Sequence, residues 1–175
     1  MLTLRAARLT DITALRTLAH TSIETLLARV LTPEALAASF AIMGVDTLLI
    51  EDGTYLVAEI DGALAGCGGW SRRATLYGGD HTQGRDAARL DPTREPARVR
   101  AMYTAPAFER RGVGRAILAA AEDQARAEGF SVAELAATLG GLPLYERAGY
   151  QRVEAFTDSS GGYPVPLVRM RKRLD

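Results

Sequence analysis

The chain has 175 residues, of which 47% are hydrophobic and 24% charged, and its 21 basic residues balance its 21 acidic ones. This length suits one domain with a complete core, so we expect a single domain over residues 1–175. A neutral chain has no overall basic field, which argues against nucleic acid as a partner. No apolar run approaches the roughly 20 residues that span a bilayer, so we expect no membrane association.

The single cysteine, Cys67, excludes an internal disulfide bond and fits a reducing compartment. The chain enters a strand-like pattern directly, without a recognisable signal peptide. Both features predict a cytoplasmic protein. The two histidines, His20 and His81, are far apart and no Cys–His cluster accompanies them, so we expect no metal site.

The first forty residues read as a strand followed by helices. Leu2–Ala7 alternates as a strand, and Ile12 begins an amphipathic helix. Thr21–Ala41 is helical in composition, and a new helix begins at Pro33 because Thr32 can cap it.

A β-hairpin follows, because Asp61-Gly62 between two apolar runs is the strongest short hairpin signal. We predict paired antiparallel strands at Tyr55–Ile60 and Ala63–Trp70. The second run contains three glycines, which indicate a bulge or the close approach of a neighbour or ligand. Before the hairpin, Thr47–Ile50 fits either a short edge strand or the end of a helix.

Ser71–Ala97 is the least regular part of the chain. Loops of this length are usually functional or disordered. Two interpretations remain open, a mobile surface loop or a wall of a substrate pocket. The polar side chains that could line such a pocket are Tyr77, Asp80, His81 and Arg85.

The next stretch reads as strand, turn, glycine loop and helix. Arg98–Thr104 alternates as a strand that Pro106 ends, and a helix ending at Gly129 follows the loop Arg110–Arg115. The first turn of a helix has unpaired N–H groups and a partial positive charge, and glycines let an anion approach them. The loop therefore predicts a phosphate or pyrophosphate site, although a plain strand-to-helix turn would look similar.

Two familiar phosphate loops fit this sequence poorly. A P-loop needs Lys followed by Ser or Thr after its last glycine, and Arg115-Ala116 stands there. A dinucleotide fingerprint needs a third glycine where Ile117 stands, which argues against a nucleotide-binding oxidoreductase.

The last part of the chain returns to strands. Phe130–Thr138 alternates, and we expect it to run parallel to Arg98–Thr104 through a right-handed crossover. Pro143–Arg147 predicts a short helix. Gln151–Phe156 and Val165–Arg173 are the final strands, joined by a polar, glycine-rich loop.

Two segments carry a family resemblance. P-A-F-E-R-R-G-V-G-R-A-I-L resembles the acetyl-CoA loop of the GNAT acetyltransferases, Gln/Arg-x-x-Gly-x-Gly/Ala, with Gly112 and Gly114 at its glycine positions. Glu109 stands where the family has Gln or Arg, so one side-chain contact is missing, and Arg110 or Arg111 could supply the lost charge. L-Y-E-R-A-G-Y, which contains Tyr145, resembles the second GNAT signature, and the order of elements is similar over almost the whole chain.

The resemblance implies an α/β fold with a mixed, mostly antiparallel central sheet, splayed fourth and fifth strands, and flanking helices. It also implies transfer of an acetyl group from acetyl-CoA to a primary amine of a small molecule or peptide. Tyr145 would protonate the departing thiolate, for which a phenol with a pKa near ~10 is suitable. Glu95, and less directly Glu59, would be possible bases.

The same resemblance assigns the residues that bind acetyl-CoA. The backbone of the predicted fourth strand would face the thioester and pantetheine, and the glycine loop would hold the pyrophosphate. Thr138 stands where the family often has Asn in contact with pantetheine. The residues assigned to the cofactor are Met102, Tyr103, Thr104, Arg110, Arg111, Gly112, Val113, Gly114, Arg115 and Thr138.

Alternatives to this reaction remain open. The domain could bind acyl-CoA as a sensor or regulatory module without turnover. It could also use another acyl chain, depending on the pocket volume beside Cys67 and Ala136. A homodimer is possible because the C-terminal strand is a common dimer element in the family.

Overall fold

The structure is a computed structural model that describes residues 1–175. Seven strands form one sheet: β1 Leu2–Ala6, β2 Tyr55–Ile60, β3 Ala63–Ser71, β4 Ala97–Thr104, β5 Val132–Thr138, β6 Gln151–Asp158 and β7 Val165–Arg173. Their order is β1-β2-β3-β4-β5-β7-β6. Only β4 and β5 are parallel neighbours, and the other pairs are antiparallel. This confirms the predicted mixed, mostly antiparallel sheet.

Five α-helices cover the two faces of this sheet. They are α1 Ile12–Leu26, α2 Pro33–Ser39, α3 Thr47–Glu51, α4 Val113–Ala127 and α5 Leu142–Arg147. The apolar stripe of α4, with Ile117 and Leu118, packs on one face, and Leu15 and Ile23 of α1 pack on the other. None of the helices combines the length and apolar character required to cross a bilayer.

The strands β4 and β5 separate soon after they begin. They pair only at Ala97 with Ala133 and at Arg98 with Glu134. Farther along β4, Ala101 has a φ of 52°, and the register with β3 shifts at this level. The bulge interrupts the alternation predicted for the strand, because two parallel strands that diverge need a change of direction in one of them. The predicted splay of the fourth and fifth strands is confirmed.

The glycines of β3 allow close packing on both sides of the strand. A Cβ at Gly66 would lie 2.5 Å from Val113 Cγ1, and one at Gly69 would lie 2.1 Å from the Thr54 carbonyl oxygen. The close approach predicted here is therefore made by protein neighbours. Cys67 lies in the same strand, and its burial raises the pKa of the thiol to about 12, so the residue is a neutral core side chain.

The structure settles two regions that the sequence left open. Thr47–Glu51 is a helix, capped by Asp46, which accepts a hydrogen bond from the Leu48 amide at 3.0 Å. Residues 72–96 form no helix or strand but are tied to the body of the protein. Arg73 donates to both carboxylate oxygens of Asp52, at 2.7 and 2.8 Å.

Candidate functional site

The gap between β4 and β5 opens into two cavities that meet inside the protein. The first cavity, of about 360 Å³, lies among α1, β4, β5, α5 and residues 42–44 and 76–78. The second cavity, of about 840 Å³, lies against the N-terminus of α4. The residues that line both are Leu26, Thr104, Glu109, Gly114, Gly140 and Leu144. A long ligand can therefore run from the helix terminus into the gap between the strands.

The loop before α4 presents free backbone amides to the second cavity. None of the consecutive amides from Arg110 to Arg115 donates a hydrogen bond within the protein, and the first paired amide is that of Ala116. Gly112 is left-handed, with a φ of 81°, and a Cβ there would meet nothing within 4 Å. These uncovered amides, together with the helix dipole, form an anion site.

The arginines of this loop differ in where they lie. Arg110 and Arg115 line the second cavity, where Arg147 adds a further positive charge. Arg111 is exposed, and its guanidinium lies 5.3 Å from the centre of the Phe108 ring, outside both cavities. The backbone of Arg111 remains part of the amide loop, but its side chain points to solvent.

Glu109 forms an ion pair beside the junction of the two cavities. Arg29, in the turn after α1, donates to both of its carboxylate oxygens, at 2.8 and 3.0 Å. The pair joins residues 80 positions apart. No sequence pattern pointed to Arg29. Its guanidinium places a positive charge beside Glu109.

Tyr145 lies at the inner end of the first cavity. Its side chain is buried edge-on against Tyr150, with ring centres 5.9 Å apart. Gly141 makes room for the ring, since a Cβ there would lie 2.9 Å from Tyr145 Cε2. The residue lines this cavity, and its hydroxyl makes no hydrogen bond within the protein. Burial raises the pKa of Tyr145 above its ordinary value, so the phenol keeps its proton at neutral pH.

The unpaired edge of β4 forms a wall of the first cavity opposite β5. Met102, Tyr103 and Thr104 line it from β4, and Thr138 lines it from β5. The Tyr103 hydroxyl accepts a hydrogen bond from the Gly44 amide at 2.7 Å, and burial raises the pKa of this phenol. Tyr103 therefore holds the segment around Gly44 against the sheet, while its backbone stays at the cavity edge.

The two glutamates predicted as possible bases lie outside both cavities. Glu95 is exposed, and its carboxylate accepts a hydrogen bond from the Asp91 amide at 2.7 Å in the turn before β4. This turn is at the N-terminal end of β4, whereas the cavities are at the C-terminal end. Glu59 accepts a hydrogen bond from Arg5 at 3.1 Å on β2. Among carboxylates, only Glu109 lines the first cavity.

One of the four polar candidates in Ser71–Ala97 reaches the first cavity. Tyr77 lines it and donates a hydrogen bond to Asp158 Oδ2 at 2.6 Å, and burial raises the pKa of Tyr77 to about 12. Asp80, His81 and Arg85 point elsewhere. Of these, Asp80 accepts hydrogen bonds from the amide and hydroxyl of Thr47.

Comparison with known proteins identifies this architecture. The family model described as "Acetyltransferase (GNAT) family" matches residues 21–150. The chain belongs to the GNAT acetyltransferase family. Among curated protein sequences, no match reaches significance.

Solved structures share the GNAT fold over nearly the full chain. A GCN5-related N-acetyltransferase from Rhodopseudomonas palustris has a TM-score of 0.71 and 20% identity, covering 98% of this chain and 94% of that one. PaiA N-acetyltransferase from Thermoplasma acidophilum, in complex with coenzyme A, has a TM-score of 0.65 and 14% identity, with 99% of both chains covered. YncA from Salmonella typhimurium, a putative acetyltransferase with its cofactor acetyl-CoA, has a TM-score of 0.65 and 19% identity, covering 99% and 94%. At these identities the likeness establishes the GNAT fold.

Proposed function

We propose that this GNAT protein transfers an acetyl group from acetyl-CoA to the primary amine of a small-molecule or peptide acceptor. The observation that carries the proposal is the continuity of the two cavities through the gap between β4 and β5. A row of free amides lies at one end of this passage and the Tyr145 phenol at the other. Acetyl-CoA has matching parts, since it joins a pyrophosphate to a thioester through a long, narrow pantetheine arm.

The residues present fit the two ends of that ligand. The amides from Arg110 to Arg115 bind the pyrophosphate, and the side chains of Arg110 and Arg115 add positive charge. The unpaired backbone edge of β4 at Met102–Thr104 hydrogen-bonds the amides of the pantetheine arm, as a neighbouring strand would. Thr138 offers one hydroxyl from the opposite strand.

Proton movements follow from the groups around the first cavity. Attack of the uncharged amine on the thioester forms a C–N bond and breaks the C–S bond, and the leaving thiolate takes a proton from Tyr145. The proton that the nitrogen loses after attack passes to water, and water restores the Tyr145 phenol. No carboxylate or imidazole lines the inner end of this cavity, so the amine enters uncharged or releases its proton to water. In this proposal Glu95 has no role in the reaction.

The rate should therefore depend on pH through the acceptor. It should rise as the free-amine fraction grows, up to the pKa of the acceptor amine. Because burial raises the pKa of Tyr145 above the usual value near ~10, loss of the acid should reduce the rate only above about pH 10. A pH profile that rises through the acceptor pKa, and shifts when an amine of different pKa is used, would support this scheme. A profile fixed at one pKa for all acceptors would contradict it.

A sensor that binds acyl-CoA without turnover is the second candidate. The lack of a base around the inner end of the first cavity favours it. Incubation with acetyl-CoA and a library of primary amines, with released thiol as the signal, separates the two functions. Amine-dependent thiol release supports the transferase, whereas tight binding without release by any amine supports the sensor. Release that is faster with propionyl-CoA would instead indicate a different acyl substrate.

We also propose a cytoplasmic protein that forms a homodimer through its C-terminal strands. The strand β6 is the edge of the sheet, and most of its residues are exposed. Its outer row of backbone groups is free to pair with a second copy. Light scattering in solution tests this, since a monomer across the working concentration range would contradict it.

A further inference from the structure

A third cavity adjoins the acceptor side of the first. It has a volume of about 360 Å³ and lies between the loop Ser71–Ala97 and the β6–β7 hairpin. Leu76 and Tyr77 line both this cavity and the first one. The ring of Tyr77 packs on Phe156, with ring centres 6.1 Å apart. The third cavity is thus adjacent to the first, with Leu76 and Tyr77 at the boundary between them.

Arg169 of β7 lines the third cavity with unused hydrogen-bond donors. No N–H group of its guanidinium makes a hydrogen bond within the protein, and its Nε is buried without a partner. The nearest carboxylate oxygen is Glu134 Oε1, at 3.9 Å from Nε. Glu154, its partner in register on β6, forms no ion pair with it. An arginine whose terminal N–H groups are free of hydrogen bonds beside a cavity is suited to an anionic ligand.

The charge of Arg169 is not balanced by its neighbours. Glu134 is buried and already accepts hydrogen bonds from Arg98, at 2.7 Å, and from Arg171. Three arginines therefore share one carboxylate, which leaves an excess of positive charge on this part of the sheet. Buried carboxylates with two strong partners do not release them readily, so Arg169 keeps only its long contact of 3.9 Å with Glu134.

The other charged groups of the third cavity are engaged or lie at its far end. Arg85 is paired with Asp46 at 3.0 Å, and Asp86 accepts a hydrogen bond from the Ala88 amide. Asp158 is held by Tyr77 and by Ser160. Asp158 is the partner in register of Val165 on β7. Val165 precedes Arg169 by four residues, which is about 13 Å along the strand. An anion at Arg169 therefore lies well away from Asp158.

Arg169 is close to the place where the acceptor must react. Its partner in register on β5 is Ala136, which lines the first cavity, and the Cα atoms of such partners lie about 5 Å apart. Leu167 lies two residues before Arg169 on β7, roughly 7 Å along the strand, and it also lines the first cavity. A small molecule can span the distance between Arg169 and the acyl end of the gap.

We propose that the acceptor is an amine that also carries a carboxylate, and that Arg169 selects it. This inference rests on the proposed acetyl transfer and names the substrate class of the same site. The guanidinium binds the carboxylate through two parallel hydrogen bonds, while the amine passes Tyr77 into the first cavity. Arg169 is thus a specificity-determining residue that makes no contact with the reacting atoms.

Matched acids and amides test the proposal. The probes are γ-aminobutyrate with its amide, β-alanine with its amide, and glycylglycine with glycylglycinamide. Two signals are measured, kcat/KM for thiol release from acetyl-CoA and the melting temperature of the CoA-saturated protein, which needs no turnover. In at least one pair, the acid should exceed the amide by about tenfold or more in kcat/KM, and the acid alone should raise the melting temperature.

Variants assign the preference to one side chain. Arg169→Gln should remove the difference between acid and amide, and Arg169→Glu should reverse it in favour of the amide. Arg173→Gln is the matched control, because Arg173 lies on the same strand, is exposed and pairs with Asp175 at 3.1 Å. It should keep the preference of the wild type. Melting without ligand checks that each variant is folded.

The outcomes separate this inference from the reaction on which it rests. The inference is overturned if the wild type responds equally to acid and amide in every pair, or responds to neither. It is also overturned if Arg169→Gln keeps the preference of the wild type for the acid. Acid-specific melting shifts without thiol release by any amine would support the anion site and contradict the proposed transfer reaction.

Discussion

The two halves of the candidate site are built in different ways. The acetyl-CoA half is built mainly from one continuous segment, β4, the loop Arg110–Arg115 and α4, and it offers mainly backbone groups. The acceptor half is assembled from side chains of distant segments, as in the hydrogen bond from the Gly44 amide to Tyr103, 59 positions away, and that from Tyr77 to Asp158, 81 positions away. A backbone site tolerates sequence change, whereas a side-chain site can be altered to fit another acceptor.

Buried polar contacts hold the acceptor half together. Arg100, on β4, donates to Asp46 Oδ2 at 3.0 Å and to the Gly78 carbonyl at 2.7 Å, and both charged side chains are almost fully buried. These contacts tie the loop Ser71–Ala97 and the start of α3 to the sheet. The acetyl-CoA half depends instead on the apolar packing of α4 against β3. The two halves should therefore respond differently to substitution.

Tyr145 lies where the two halves meet, and its loss should have the largest effect. Tyr145→Phe keeps the ring and removes the proton donor, so kcat should fall by about 10²- to 10⁴-fold while the Kd for acetyl-CoA stays unchanged. Single-turnover kinetics and titration measure the two quantities. Tyr163→Phe, at an exposed tyrosine, is the control. A kcat within about twofold of the wild type would show that Tyr145 is not the general acid.

Asp46→Asn should destabilise the acceptor half. It leaves the Arg100 guanidinium buried without its anionic partner, which typically costs about 3–5 kcal/mol in the free energy of unfolding. Urea unfolding provides the measurement, with Asp86→Asn as an exposed control. If the halves are independent, the folded fraction of the variant should bind acetyl-CoA as the wild type does. A loss of stability as small as that of the control would show that the pair does not hold this half.

Asp52→Asn tests the anchor of the loop Ser71–Ala97 through pH. The hydrogen bonds from Arg73 hold the pKa of Asp52 below its ordinary value near ~3.9. Their contribution is then fully present above that ordinary value and is lost as pH falls through the lower value of the folded protein. The variant should lose about 1–3 kcal/mol at neutral pH, and its difference from the wild type should shrink in acid below about pH 4. Urea unfolding across this pH range measures that difference in the free energy of unfolding. A difference that stayed constant would contradict the account.

Glu109→Gln should have the smallest of these effects, and it should strengthen the binding of acetyl-CoA instead of impairing a property of the protein. It removes a negative charge near the amide loop and frees Arg29 from its ion pair, so acetyl-CoA should bind severalfold more tightly at low salt. Glu128→Gln, at the other end of α4, is the matched control and should leave the Kd for acetyl-CoA unchanged. Weaker binding by Glu109→Gln would indicate that the ion pair organises the site rather than opposing the phosphates.

The same contrast explains what the sequence could and could not predict. The strand, glycine loop and helix around Gly112 were predictable because each signal is local in the chain. The bulge at Ala101 was not, because a left-handed alanine has no local signature. Thr47–Glu51 stayed ambiguous because so short an apolar run has no distinguishable period.

Residues of the acceptor half depended on contacts that no local pattern contains. Arg29 meets Glu109 across 80 positions, and Arg169 reaches its cavity only through the order of β5, β7 and β6. Glu95 was chosen for its position just before β4, yet that end of the strand is far from the gap. Of the side chains suggested in the irregular loop, Tyr77 lines the first cavity because its ring packs on Phe156 of the hairpin.

Isothermal titration with acetyl-CoA tests the central claim, that free amides beside the gap bind this ligand. Gly112 and Gly62 have the same φ of 81°, and a Cβ at either position would meet open space, so a valine strains both positions alike. We predict micromolar binding by the wild type and by Gly62→Val, and binding weaker by about tenfold or more in Gly112→Val, with no comparable binding of NADH. Absence of acetyl-CoA binding by the folded wild type, or an equal loss in both variants, would contradict the claim.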